Sequence, residues 1–149
     1  MSAFTNKAEE YLIEYVLSGS TSAATSLPST SGTWWVRLHV GDPGETSTGN
    51  LASTSVWTNY VPIAVNRSTA AWSTAASEAG GGMRKANSTT IDFGTATLTS
   101  DYIISYVSVA SSSGASADGW FQGALTTTYT IQNGNPVSIA TTALGISFR

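Results

Sequence analysis

The stretch from Thr33 to Asn50, TWWVRLHVGDPGETSTGN, constrains the fold of this chain more than any other. Its first half alternates in the period-two pattern of a pleated strand, with one face formed by Trp34, Val36, Leu38 and Val40 and the other by Trp35, Arg37 and His39. The alternation stops at residues 41–44, GDPG, where a proline followed by a glycine favours a tight turn. The stretch therefore predicts a central strand and, after it, a flexible polar loop available for contacts.

Short runs of β-branched and aromatic residues, separated by turn signals, fill the rest of the chain. They lie at residues 55–67, 69–74, 89–98, 102–110, 120–125, 129–131, 136–140 and 144–148. Pro62 cannot donate to a ladder, so the first run is expected to form an edge or bulged strand. Gly94 is a candidate bulge, and Ile103, Val107 and Val109 are expected to share one face. The spacing predicts a mainly β fold, an antiparallel sandwich, jelly roll or barrel of about eight strands.

The N-terminal segment is the one predicted helix, over residues 4–17. Its apolar residues recur at three- and four-residue spacing and form one stripe, made of Phe4, Ala8, Tyr11, Leu12 and Tyr15. Thr5 or Asn6 is a candidate N-cap, and Asn6 with Glu9 resembles a capping box. The stripe packs either on its own domain or on a partner subunit. We therefore divide the chain into a helix at 1–19, a Ser/Thr-rich arm or linker at 20–32 and a β-sandwich domain at 33–149.

Composition narrows the class of protein. Charged residues make up 10% of the chain, against about 25% in typical domains, and serine and threonine are abundant instead. Hydroxyl groups desolvate at lower cost than charges, which suits a surface that is buried against neighbouring subunits. The net charge of −3 argues against binding to nucleic acid. We expect no disulfide, because cysteine is absent, no membrane span and no secretory signal.

Catalytic and metal-binding patterns are not recognisable in the sequence. The single histidine, His39, lies within a strand and is expected to be structural or at the surface rather than catalytic. Asp42 and Glu45 could meet a cation together, but the DPGE turn has a conformational reason to exist without one. No nucleophile elbow or phosphate loop is present, so we expect no enzymatic activity, no cofactor and no metal site. The five tryptophans either fill the core or form a sugar-stacking platform: Trp34, Trp35, Trp57, Trp72 and Trp120.

The order of these segments resembles a family of small bacteriophage structural proteins of the tail-fibre or head-decoration type. The residues that carry the resemblance are Val36, Leu38, His39, Asp42, Pro43, Gly44, Glu45, Thr48, Gly49 and Asn50, then Gly123, Leu125, Thr126 and Thr127. The segment DPGETSTGN is the specific part, and it is a structural turn rather than an active site. The chain departs from the family pattern at residues 62–64, PIA, and in its longer linker at 20–32.

The resemblance implies a non-enzymatic virion component that is assembled in the host cytoplasm and binds the major capsid protein or other virion proteins. The first interpretation is a capsid decoration or cement protein, expected as a homotrimer, that stabilises the head. The alternative is a tail or fibre-attachment protein, and the third is a carbohydrate-binding module. Contacts with virion proteins are expected at the helix, the arm and the loop, with the partner-binding residues Phe4, Tyr11, Tyr15, Asp42, Pro43, Gly44, Glu45 and Asn50.

Overall fold

Ten strands and one helix form the part of the chain that the computed structural model describes, residues 2–13, 17, 32–77, 82–117 and 119–148. In chain order they are β1 (Ser2–Phe4), α1 (Asn6–Ile13), β2 (Thr33–His39), β3 (Ile63–Asn66), β4 (Ala76–Ser77), β5 (Met83–Ala86), β6 (Ile91–Thr95), β7 (Tyr102–Ala110), β8 (Gly119–Ile131), β9 (Pro136–Ile139) and β10 (Gly145–Phe148). No helix in these ranges is long and apolar enough to span a membrane.

The strands pair into three antiparallel sheets, none of which closes on itself. The largest has the order β1-β8-β7-β2-β3, the second β10-β5-β4, and the third pairs β6 with β9. The prediction of a mainly β, antiparallel fold is confirmed. The finer assignment to a sandwich or jelly roll stays a prediction.

Strand β2 lies inside the largest sheet and contributes to the core, as its apolar pattern predicts. Trp34, Val36 and Leu38 are buried, and they belong to one hydrophobic cluster that also includes Trp57 and Phe93. Trp57 lies in a turn rather than in the strand predicted over 55–67, because the amides of residues 56 and 57 both donate to the Ser53 carbonyl. Only Ile63–Asn66 of that run forms a strand.

Edges and bulges lie largely where the sequence places them. β3 follows Pro62 and is one of the two edge strands of the largest sheet, and Gly94, with φ +76°, lies at a register shift between β6 and β9. The shared face predicted for β7 is wrong at Ile103, which is 53% exposed, while Ile104 is buried beside Val107. The pairing register with β8 shifts after Ile104, which changes the side chain that faces the core.

The strands in the C-terminal half of the chain differ from the prediction in some of their bounds. The runs at 120–125 and 129–131 form one strand, β8, instead of two. Arg84 and Lys85, which lie in none of the predicted runs, belong to β5, the middle strand of the second sheet. The last two predicted strands are confirmed as β9 and β10.

The N-terminal helix begins later than predicted. Phe4 belongs to β1, where it pairs with Phe121, so the helix begins at Asn6. Thr5 is the N-cap, since its Oγ1 accepts the amide proton of Ala8 at 3.4 Å, and Asn6 is the first residue of the helix. Ala8 is buried while Leu12 is 40% exposed, so the apolar stripe is only partly covered. Tyr15 and residues 18–31 lie outside the described residues.

Candidate functional site

The loop after β2, residues 40–50, is a closed, hydrogen-bonded structure rather than a flexible connection. The Gly49 amide donates to the Pro43 carbonyl and the Val40 amide to the Asn50 carbonyl, both at 2.9 Å. Asp42 Oδ1 accepts the amide proton of Gly44 at 2.9 Å, which forms an Asx turn. A Cβ at Gly49 would lie 2.9 Å from the Pro43 carbonyl oxygen, so only glycine fits there. The DPGETSTGN segment thus has a conformational role at almost every position.

A buried polar network holds this loop onto the outer face of β2. Arg37, 0% exposed, donates from Nη2 to the Ser47 carbonyl at 2.9 Å and from Nη1 to the Ala117 carbonyl at 2.8 Å. Its Nε donates to Ser108 Oγ on β7 at 3.2 Å. One guanidinium therefore joins two loops and two strands, and its planar set of donors suits that geometry.

His39 completes the network in a single tautomer. Its Nδ1 lies 2.8 Å from the Gly49 carbonyl oxygen, which can only accept, so Nδ1 carries the proton. Its Nε2, 2.7 Å from Ser108 Oγ, then accepts the hydroxyl proton. Burial lowers the pKa of His39 from 6.5 to about 4, the Gly49 hydrogen bond opposes that shift, and the nearby Arg37 charge adds to it. The imidazole is therefore neutral at pH 7.

The Ser108–His39 pair has the spacing of a catalytic nucleophile and its base, but a substrate cannot reach it. Both side chains are 0% exposed, and the Ser108 hydroxyl oxygen also accepts the Arg37 Nε proton. An attacking oxygen must reach a substrate, and none of the surface of Ser108 is open. The pair therefore fixes the loop to the sheet, which is the structural one of the two roles expected for His39. Within the described residues, no group of three or more His, Cys, Asp or Glu side chains is placed to hold a metal ion.

Gly119 joins the loop to the start of the helix. Its amide donates to the Thr46 carbonyl at 2.9 Å, and its carbonyl accepts the hydroxyl proton of Thr5 at 2.5 Å. A Cβ at Gly119 would overlap the side chain of Ser47, a fully buried residue with φ 56°. The two segments expected to bind partners are thus neighbours on one side of the molecule.

The predicted partner-binding residues divide by position. Asp42, Gly44, Glu45 and Asn50 are exposed on the loop, whereas Pro43 is buried beneath it. Phe4 lies in β1 and Tyr11 in α1, and Tyr15 falls outside the described residues. Their role in partner binding stays a prediction.

Sequence reasoning missed the network beneath the loop. The strand pattern places Arg37 and His39 on the face opposite the apolar one and predicts no contacts for them, yet both are fully buried. One signal was present: an arginine and a histidine two residues apart on a strand, followed at once by a glycine-rich polar loop that can cover them.

A comparison with known protein families identifies the family of the chain. A model of the family described as Podophage GP4 fiber I protein gp80 matches residues 3–147. No curated protein sequence matches the chain. The family match confirms the resemblance to phage structural proteins and implies a virion component. The chain therefore belongs to the family of the podophage GP4 fiber I protein gp80.

Proposed function

We propose that the chain is a non-enzymatic structural subunit of the phage tail or of its fibres, attached to other virion proteins. The family description names a fibre protein, which favours the tail or fibre-attachment alternative over capsid decoration. A homotrimer assembled in the host cytoplasm is part of this proposal.

The observation that carries the proposal is the rigidity of the loop at residues 40–50. Hydrogen bonds from Arg37 and His39 fix its backbone from below, while Asp42 and Glu45 remain exposed above. A binding surface that is already ordered loses little conformational freedom on association. The loop therefore offers an acidic, preformed contact surface for a virion protein.

Complementation with variants tests the contact surface. Phage particles that lack the native protein are assembled with Glu45→Arg or, as a control with the same charge change outside the loop, Asp101→Arg; both residues are exposed. We expect Glu45→Arg to reduce incorporation into purified virions about tenfold, since repulsive contacts at an interface cost more than 1 kcal/mol. Equal incorporation of both variants would show that the loop is not the contact surface.

A further inference from the structure

A cleft with a volume of about 460 Å³ opens between the largest sheet and the two smaller ones. Its lining contains three runs of consecutive residues: 121–127 in β8, 137–140 at β9 and 143–147 at β10. Successive side chains of a strand point to opposite faces of the sheet. An uninterrupted run of residues therefore lines a cleft where the edge of the strand, rather than one of its faces, borders it.

Two of these edges have no partner strand among the described residues. β1 covers the outer side of β8 only at Phe121–Gly123, and β9 pairs with β6 alone. The pairing of β8 with β7 on the inner side also skips residues 125–128. Residues 126–130 are all exposed, and the stretch 124–130, ALTTTYT, contains neither a charge nor a proline. Its backbone amides and carbonyls are thus available to an added strand.

Between these edges the cleft reaches the hydrophobic core. Its walls are partly buried apolar side chains that pack against the core cluster, namely Phe121, Leu125, Ile139 and Ile146. Buried members of the same cluster form the floor, among them Ile104, Val107 and Val137. Strand addition uses these two features together, because the main chain pairs with an open edge while alternate side chains enter apolar pockets.

Arg84 is the one charged residue among the described residues that line the cleft. Its Nη2 donates to the Thr142 carbonyl at 2.8 Å, and its guanidinium lies against the backbone of Gly145, where a Cβ would overlap it. These contacts hold the group at the β10 side of the cleft. A carbonyl carries no net charge, so the positive charge of Arg84 is not neutralised, and its other N–H groups suit a carboxylate.

We propose that this cleft receives an extended segment of another virion protein, which adds a strand to the free edge of β8. The main chain of that segment pairs with residues 124–130, its alternate apolar side chains enter the cleft, and an acidic residue meets Arg84. The inference rests on the proposed function, because the occupant is a component of the particle.

A second copy of this chain is a poorer occupant. Among its described strands, the single acidic residue is Asp92 in β6. That strand is already paired with β9, and Asp92 Oδ1 accepts the amide proton of Gly94 at 2.8 Å. The described part of the chain therefore offers no free acidic strand to a neighbouring copy.

Photo-crosslinking in purified virions tests the site. Particles that lack the native protein are assembled with the full-length chain carrying p-benzoylphenylalanine in place of Thr127, which lines the cleft, or of Thr89, an exposed residue outside it. Mass spectrometry identifies the crosslinked peptide. We expect the probe at Thr127 to crosslink to one segment of another virion protein, with an acidic residue and alternating apolar residues, and the probe at Thr89 not to reach that segment.

Hydrogen exchange of the native chain gives a readout that needs no substitution. We expect the amides of residues 124–130 to exchange at least about tenfold more slowly in virions than in the free protein, since they become hydrogen-bonded. A synthetic peptide of the crosslinked segment is then titrated calorimetrically into the free protein. Arg84→Gln should weaken binding about tenfold, whereas Lys85→Gln, a matched loss of charge at the next residue of β5 and outside this cleft, should leave it unchanged.

Failure of this inference is distinguishable from failure of the proposed function. Virions that contain the native chain but show unchanged exchange at residues 124–130, or no crosslink from Thr127, would refute the cleft assignment alone. A crosslink from Thr127 to a second copy of this chain, or a peptide that binds Arg84→Gln and Lys85→Gln equally, would also overturn it. Absence of the native chain from purified virions would overturn the proposed function and, with it, the choice of occupant.

Discussion

Replacing Arg37 with methionine should loosen the loop at residues 40–50 and destabilise the whole fold. Methionine fills a similar length of the buried space but has no donors. The carbonyls of Ser47 and Ala117, bonded to the guanidinium at 2.9 and 2.8 Å, then lose their partner, at about 1–3 kcal/mol each. Part of this loss is offset, because the variant no longer bears the free-energy cost of desolvating a buried cation. We therefore expect the free energy of unfolding to fall by about 3 kcal/mol.

Urea denaturation followed by tryptophan fluorescence measures this change, and hydrogen exchange at the amides of Ser47 and Gly49 reports the loop itself. Arg84→Met is the matched control, because Arg84 donates to the exposed Thr142 carbonyl at 2.8 Å, and its loss should cost under about 1 kcal/mol. An Arg37→Met protein within about 0.5 kcal/mol of wild type, with unchanged exchange in the loop, would refute the role assigned to the network.

Three further changes test other parts of the fold. Gly119→Ala should cost about 1–3 kcal/mol in urea denaturation because its Cβ overlaps Ser47, while Gly114→Ala, whose nearest neighbour lies 3.7 Å away, should cost less. Because the pKa of His39 is lowered to about 4, the unfolded state takes up a proton at a higher pH than the folded state does. The free energy of unfolding should therefore fall by up to about 3 kcal/mol as the pH falls from 6.5 to 4. A His39→Gln variant that keeps the same pH dependence over this interval would contradict this. Asn87→Ala should cost about 2–4 kcal/mol on thermal or urea unfolding, since the fully buried amide makes hydrogen bonds at 2.8–2.9 Å to three backbone groups, and a change below about 0.5 kcal/mol would be inconsistent with that role.

What the sequence predicts well here is local. The strand β2, the proline before an edge strand and the Gly94 bulge are each predicted from a few consecutive residues, and each is found in the structure. The helix start was misplaced by two residues because β1 pairs with a strand more than a hundred residues away. Local helical spacing at Phe4 carries no information about that partner.

The buried network could not be predicted for the same reason. Arg37 is enclosed by Ser108 and Ala117, which lie 71 and 80 residues later in the chain. A polar residue on an alternating strand normally indicates a face exposed to solvent. Here two loops, which contain Ser47 and Ala117, cover Arg37 instead. The DPGETSTGN motif is recognisable in the sequence. Its structural role, which is to hold a fixed backbone over the buried Arg37 and His39, depends on contacts between residues far apart in the chain.

The position of the protein on the intact particle tests the central claim most directly. Purified virions are labelled with an antibody against the full-length chain and imaged by electron microscopy. The proposed role predicts label confined to the tail and its fibres. Label spread at regular density over the head would contradict it and restore the capsid-decoration interpretation, and virions without label would contradict a structural role in the particle.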